Sequence, residues 1–303
     1  MFTYNIPNPP LAAGMPGSLD VFSLAAAQLT NPNDLTPAEL EAVLPAAPGP
    51  ADIPAAWQQV DRSRFQWDDS VGDLTYREVA ASLSVSGGDP DAVNLDNVVA
   101  ASAFTENLPA HPYPFDVNRP AAAQGARIYW KACAGCHEPG NDVLRSPEET
   151  GTDPNRANIF TEFMINGLIE EFRAACTIPE CFDANGNPLP DSDVLEATGG
   201  YIQIPLAGVW QTAPYLHNGS VPTLYHLLTG DRPDTFYRGN FTYDEEFVGY
   251  TWAEATSPRA LLYDTGLEGY ANTGHTGPAF NGGIDWETEP DRLWDLLEYL
   301  KTL

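Results

Sequence analysis

The chain is 303 residues long and carries 42 acidic residues against 14 basic ones, a formal net charge of −28. Such a length buries a sizeable core, as one large domain or two small ones. Such a charge excludes nucleic acid as a partner, because phosphates need positive charge to neutralise them, and it draws basic proteins instead. The acids are spread along the whole chain and only Lys131 and Lys301 are lysines, which suits a salt-adapted surface more than one local docking face. No apolar run is long enough to span a bilayer.

Residues 1–60 form a proline- and alanine-rich arm with no Lys or Arg before Arg62. Within it Thr36-Pro37-Ala38-Glu39 is a capping box with proline in the first turn, which predicts one short helix. The rest of the arm is expected to be extended. Residues 61–112 predict a small helical region that packs on the next domain. It has a helix over 76–83, a break at Gly87-Gly88-Asp89-Pro90, and a second helix over 91–107. Four prolines in 108–120 mark an extended surface linker.

Residues 113–303 form the third region. A helix is expected over 121–133, with Gly125, Tyr129, Ala132 and Cys136 on one face. Directly after it stands Cys133-Ala-Gly-Cys136-His137, the C-x-x-C-H spacing that attaches haem c. Two thiols on one turn bond covalently to the haem vinyl groups, and the adjacent imidazole of His137 becomes the proximal iron ligand. Zinc is disfavoured, since Cys176 and Cys181 have four residues between them and supply no second C-x-x-C. Those two cysteines are expected to form a disulfide, as outside the cytoplasm.

Further along, helices are expected over 158–172 and from Pro222, and a short strand over 199–204. Asp183-Ala-Asn185-Gly-Asn187 has alternating oxygen donors but no closing Glu, so it reads as an Asn-Gly turn rather than a calcium loop. Thr288 and Asp291 are expected to cap a final helix with an apolar stripe of Leu293, Leu296, Leu297 and Leu300. No internal repeat is visible. A helix before C-x-x-C-H and an apolar closing helix are the two elements that cross in class I c-type cytochromes, with Gly125 allowing the close approach. The expected fold is therefore mainly α: a class I cytochrome c-like domain with long irregular loops and an extended N-terminal arm.

The sixth iron position has few candidates. Met164 lies among Phe160, Phe163, Ile165 and Leu168 and reads as core, His226 as a buried hydrogen-bonded histidine, and His111 as exposed. His217 and His275 remain, both in Gly-containing loops where backbone can approach a flat macrocycle. From chemistry alone the two stand level.

Pro205-Leu-Ala-Gly-Val-Trp-Gln-Thr-Ala-Pro-Tyr-Leu-His-Asn-Gly-Ser-Val-Pro-Thr-Leu224 resembles the C-terminal haem module of the rubber oxygenase-like di-haem c-type cytochromes, relatives of bacterial di-haem cytochrome c peroxidases. Pro112-Tyr-Pro-Phe115, Gly151-Thr-Asp-Pro-Asn-Arg156, Arg232-Pro-Asp-Thr-Phe-Tyr237, Tyr263-Asp-Thr265 and Glu298-Tyr-Leu-Lys-Thr-Leu303 match as well, and Trp67-Asp68-Asp69 and Asn94-Leu-Asp-Asn97 match more weakly, so the resemblance covers about residues 65–303. It implies that two histidines hold the haem and that the second lies in a late Asn-x-Gly-His loop, here Asn272-Thr-Gly-His275. His217 then sits near the haem edge or a propionate. Apart from the resemblance, Trp210, Tyr215 and Trp130 are the aromatic candidates to line the pocket.

In that family oxygen or peroxide is activated at a second haem or by the pair. One C-x-x-C-H in this sequence therefore implies a single covalent haem and the electron-transfer half of the chemistry. The expected function is that of a periplasmic or extracellular mono-haem cytochrome passing single electrons. Met1-Phe2-Thr3-Tyr4-Asn5 has no signal-peptide pattern, so a leader is taken as already removed. The alternatives are a peroxidase or oxygenase with an open distal site, and a haem subunit of a larger redox assembly. The expected partner is a redox protein, basic or itself a haem subunit.

Overall fold

The computed structural model describes residues 18–19, 47–86, 89–140 and 143–303. The helix expected at Thr36 lies outside the described residues. The α-helices are α1 (Leu74–Ser86), α2 (Leu95–Glu106), α3 (Arg119–Ala132), α4 (Ala134–His137), α5 (Pro147–Thr150), α6 (Glu162–Ala175), α7 (Asp191–Val194), α8 (Leu224–Thr229), α9 (Pro278–Asn281) and α10 (Pro290–Leu300). The strands pair only in twos, all antiparallel: β1 (Ser18–Leu19) with β2 (Ala51–Asp52), β3 (Leu144–Arg145) with β4 (Tyr201–Ile202), β5 (Thr235–Arg238) with β8 (Leu261–Asp264), and β6 (Tyr243–Asp244) with β7 (Gly249–Tyr250). Helix accounts for 38% of the described residues, so the architecture is helices and long loops pinned by small ribbons.

Side-chain caps set most helix starts. Asn94 accepts from the Asn97 N–H before α2, Asn118 from Ala121 before α3, and Thr161 from Met164 before α6. The Thr161 cap explains why α6 starts later than the apolar run suggested. The final helix departs from expectation: it opens on Pro290 after Glu289, with no side-chain cap, and the Thr288 hydroxyl donates to the Asp285 carbonyl instead. Asn185 and Asn187 both donate backbone N–H groups to Asp183 Oδ1, a plain polar turn.

Two large cores organise the chain. One joins Tyr76, Val79 and Leu83 of α1 and Val98 of α2 to Met164, Leu168, Ile169 and Phe172 of α6, with the Cys176–Cys181 disulfide buried beside them. The other joins Ile128 and Tyr129 of α3 to Leu293, Leu296, Leu297 and Leu300 of α10, together with Val209, Tyr215, Val221 and Leu224. At the α3–α10 crossing a β-carbon on Gly125 would overlap the Asp295 carbonyl, so only glycine permits that contact.

The structure overturns the absence of a repeat. Residues 57–74 and 207–224 trace one backbone. Each has a left-handed residue, Gln58 or Gly208, before a 3-10 turn, Gln59–Asp61 or Val209–Gln211. Each then closes an antiparallel bridge, Phe65↔Val71 or Tyr215↔Val221. Inside the bridges stand the same two left-handed residues, Gln66 and Asp69 in one and Leu216 and Gly219 in the other. A helix follows each at Leu74 or Leu224. The side chains hide the match, since Trp67-Asp68-Asp69 stands where His217-Asn218-Gly219 stands. The copies are joined: Trp67 Nε1 donates to the Asp52 carbonyl at 2.7 Å, and the Asp52 N–H donates to the His217 carbonyl at 2.6 Å.

Candidate metal centre

α3 ends at Ala132, and α4 carries Cys136 and His137 on the next turn, with the His137 N–H closing on the Cys133 carbonyl. The His137 Nδ1–H donates to the Ile204 carbonyl at 2.9 Å. That bond selects the tautomer and leaves Nε2 free as a ligand atom, the usual arrangement of a metal-bound histidine. Burial lowers the His137 pKa, so the ring is neutral, as ligation requires. Burial, with Cys136 adding to it, pushes the Cys133 thiol up to about 11. A redox C-x-x-C needs the opposite shift, toward thiolate.

His275 faces His137, with ring centres 6.2 Å apart and ring planes inclined by 49°. Two imidazoles sharing one metal ion at ~2 Å per metal–nitrogen bond place their ring centres roughly 6 Å apart. The residues present therefore fit an iron held between them. His275 Nδ1 has no hydrogen-bond partner among the described residues, and burial, His137 and Arg232 together lower its pKa to about 3. The His275 backbone is left-handed, φ 55°, and its N–H donates to the Thr150 carbonyl at 2.9 Å. Thr150 ends α5, which a complete Ser146/Glu149 capping box holds in place. A β-carbon on Gly274 would collide with Thr152, so the loop lies directly on the end of α5.

The second repeat copy holds the approach to this loop. Asn218 Nδ2 donates to the Gly269 and Ala271 carbonyls at 3.1 and 3.0 Å, and the Ser220 hydroxyl donates to Ala271 at 3.1 Å. These positioning roles of Asn218 and Ser220, and that of Ile204, went unseen in the sequence, where His-Asn-Gly-Ser signalled only a family motif.

His217 is placed differently. It is buried, stacked on Tyr201 with ring centres 4.4 Å apart, and its Nε2 lies 3.2 Å from the Tyr201 hydroxyl. Burial, with Arg156 adding to it, lowers its pKa to about 3. Its ring is thus engaged with Tyr201, while His275 is the histidine brought opposite His137. Tyr215 is buried and its hydroxyl lies within hydrogen-bond distance of the Val209 and Val248 carbonyls. Trp210 donates to the His111 carbonyl and meets Tyr113 and Tyr243 edge-on. His226 is buried, with Nδ1 2.6 Å from the Thr223 hydroxyl. Met164 is fully buried core, and His111 is exposed.

Residues 200–238 match the family described as RoxA-like, cytochrome c-like, and such a segment implies haem c. The match holds Ile204 and the whole of the 205–224 stretch, with His217, Asn218 and Ser220 in it. Uncharacterized protein y4iM of Sinorhizobium fredii is 38% identical over 277 residues, which cover 83% of this chain and 64% of that protein. Uncharacterized protein y4iJ of the same organism is 32% identical over 234 residues, covering 60% of this chain and 38% of that protein. The chain thus spans less than two thirds of the length of either relative. No helix among the described residues is long and apolar enough to cross a membrane.

Proposed function

We propose, from the premise that residues 200–238 are a RoxA-like, cytochrome c-like segment, that the chain is a mono-haem c-type cytochrome passing single electrons through an iron with two histidine ligands. Haem c, when bound, supplies a one-electron ferric–ferrous couple. Cys133 and Cys136 would hold it by thioethers, and His137 and His275 would ligate its iron. The observation that carries this reading is the 6.2 Å spacing of the His137 and His275 rings beside the C-x-x-C-H turn. Two histidine ligands would leave no open site for oxygen or peroxide, which favours electron transfer over turnover. The buried disulfide fits an oxidising compartment, the periplasm or the cell exterior. The net charge of −28 favours a basic redox partner.

Absorption and electron paramagnetic resonance spectra of the oxidised holoprotein test it. A low-spin wild type that turns high-spin and binds carbon monoxide rapidly in His275→Ala is the expected result. A high-spin wild type left unchanged by that substitution would overturn the reading.

A further inference from the structure

We infer that Arg232 is a positioning residue for the His275 loop and, through its charge, raises the reduction potential of the iron. The inference rests on the His137–His275 pair proposed above.

Arg232 follows α8 and its Gly230 cap. Its guanidinium donates to three backbone carbonyls. Nε reaches His226 at 3.3 Å and Nη2 reaches Leu227 at 3.1 Å, both in the last turn of α8, while Nη1 donates to Asn272. Asn272 answers with Nδ2 to the Pro233 carbonyl at 3.1 Å. The start of Asn272-Thr-Gly-His275 is therefore clamped in both directions to residues 232 and 233. The planar fork spans carbonyls that a single ammonium could not.

The charge is the second half of the inference. Burial alone displaces the Arg232 pKa, to about 10, so the group remains cationic at neutral pH. Among the described residues it forms no ion pair; its bonds all go to carbonyls. The guanidinium stands against the carbonyl of Asn272, three residues before His275, so its charge lies beside the loop that carries the proposed ligand. An iron that gains an electron loses one positive charge. A fixed cation nearby therefore favours the ferrous state, and a partly buried one does so with little screening.

The test is a potentiometric titration with low-temperature electron paramagnetic resonance on the holoproteins of wild type, Arg232→Gln and Arg232→Lys. Arg232→Gln is expected to shift the ferric/ferrous ratio at a given potential about tenfold toward ferric, ~59 mV for one electron, and to broaden the low-spin signal. Arg232→Lys is expected to keep the wild-type potential while disturbing the low-spin signal, since it retains the charge and loses the fork. Wild-type potential and wild-type signal in Arg232→Gln overturn the inference while leaving the axial pair intact. If Arg232→Gln does not accumulate as holoprotein, Arg232→Lys decides: a disturbed signal at unchanged potential supports the inference, and a signal identical to wild type overturns it. A high-spin wild type overturns the axial pair, and the inference with it.

Discussion

His275 occupies a backbone region that disfavours most residues with a β-carbon, and histidine is among those that enter it more readily. The surroundings hold it there: the Thr150 carbonyl takes its N–H, Asn218 and Ser220 fix the chain just before it, and Phe280 packs 4.9 Å from its ring. Removing one holder should loosen the ligand before it unfolds the protein. Asn218→Ala strips one bond from the buried Gly269 carbonyl and one from the half-buried Ala271 carbonyl, and is expected to cost about 1–3 kcal/mol. Denaturant titration measures that loss, and carbon monoxide binding to the reduced protein should accelerate as the imidazole detaches more often. An unchanged binding rate would show that the 269–271 approach does not govern His275.

At the scale of elements, the α3–α10 crossing presents C-x-x-C-H to the rest of the fold. Gly125 sits under the Asp295 carbonyl, and Leu293, Leu296, Leu297 and Leu300 close the contact. Gly125→Val cannot be absorbed by a rotamer change because backbone stands in the way, so α3 must move off α10. Little haem-loaded protein is expected to accumulate, measured as the ratio of haem to protein absorbance. Leu297→Ala leaves a cavity instead and should cost about 2–5 kcal/mol with the haem still attached. Both helices were legible from the spacing of apolar residues, because an amphipathic stripe is a local signal. The final cap was not: Glu289 and Pro290 open α10 without a side-chain bond, so the Thr288 motif was a match in letters only.

At the scale of the whole molecule, the first repeat copy is tied to residue 156 by a buried pair, Arg156 Nη1 to Asp68 Oδ2 at 2.5 Å and Nη2 to Oδ1 at 3.1 Å. Arg156→Met leaves the Asp68 carboxylate buried without its partner and is expected to destabilise by about 3–5 kcal/mol, seen as a lower denaturation midpoint. The replacement of both partners by apolar residues should recover part of that loss. The surface charge acts at longer range. With a net charge of −28, association with a basic redox protein should slow steeply as salt rises, because the Debye length shrinks from ~30 Å at 0.01 M to ~10 Å at 0.1 M. Stopped-flow electron transfer at several ionic strengths measures this, and a flat dependence would argue for a partner docked on an uncharged face.

What the amino-acid order determined by itself was local. Cys133, Cys136 and His137 lie on one turn, so their joint chemistry follows from spacing alone, and the paired Cys176 and Cys181 needed only a short loop to meet. Tertiary structure decided what lies opposite. His217 and His275 stood level as chemistry, and the resemblance favoured His275. The fold turns His217 onto Tyr201 and carries His275, through Thr150, Asn218 and Arg232, to face His137. The repeat was equally hidden, because turn geometry was kept while Trp67 and His217 diverged. Bonds between residues far apart in the chain leave no periodicity in it, so contacts of that kind appear only once the chain is folded.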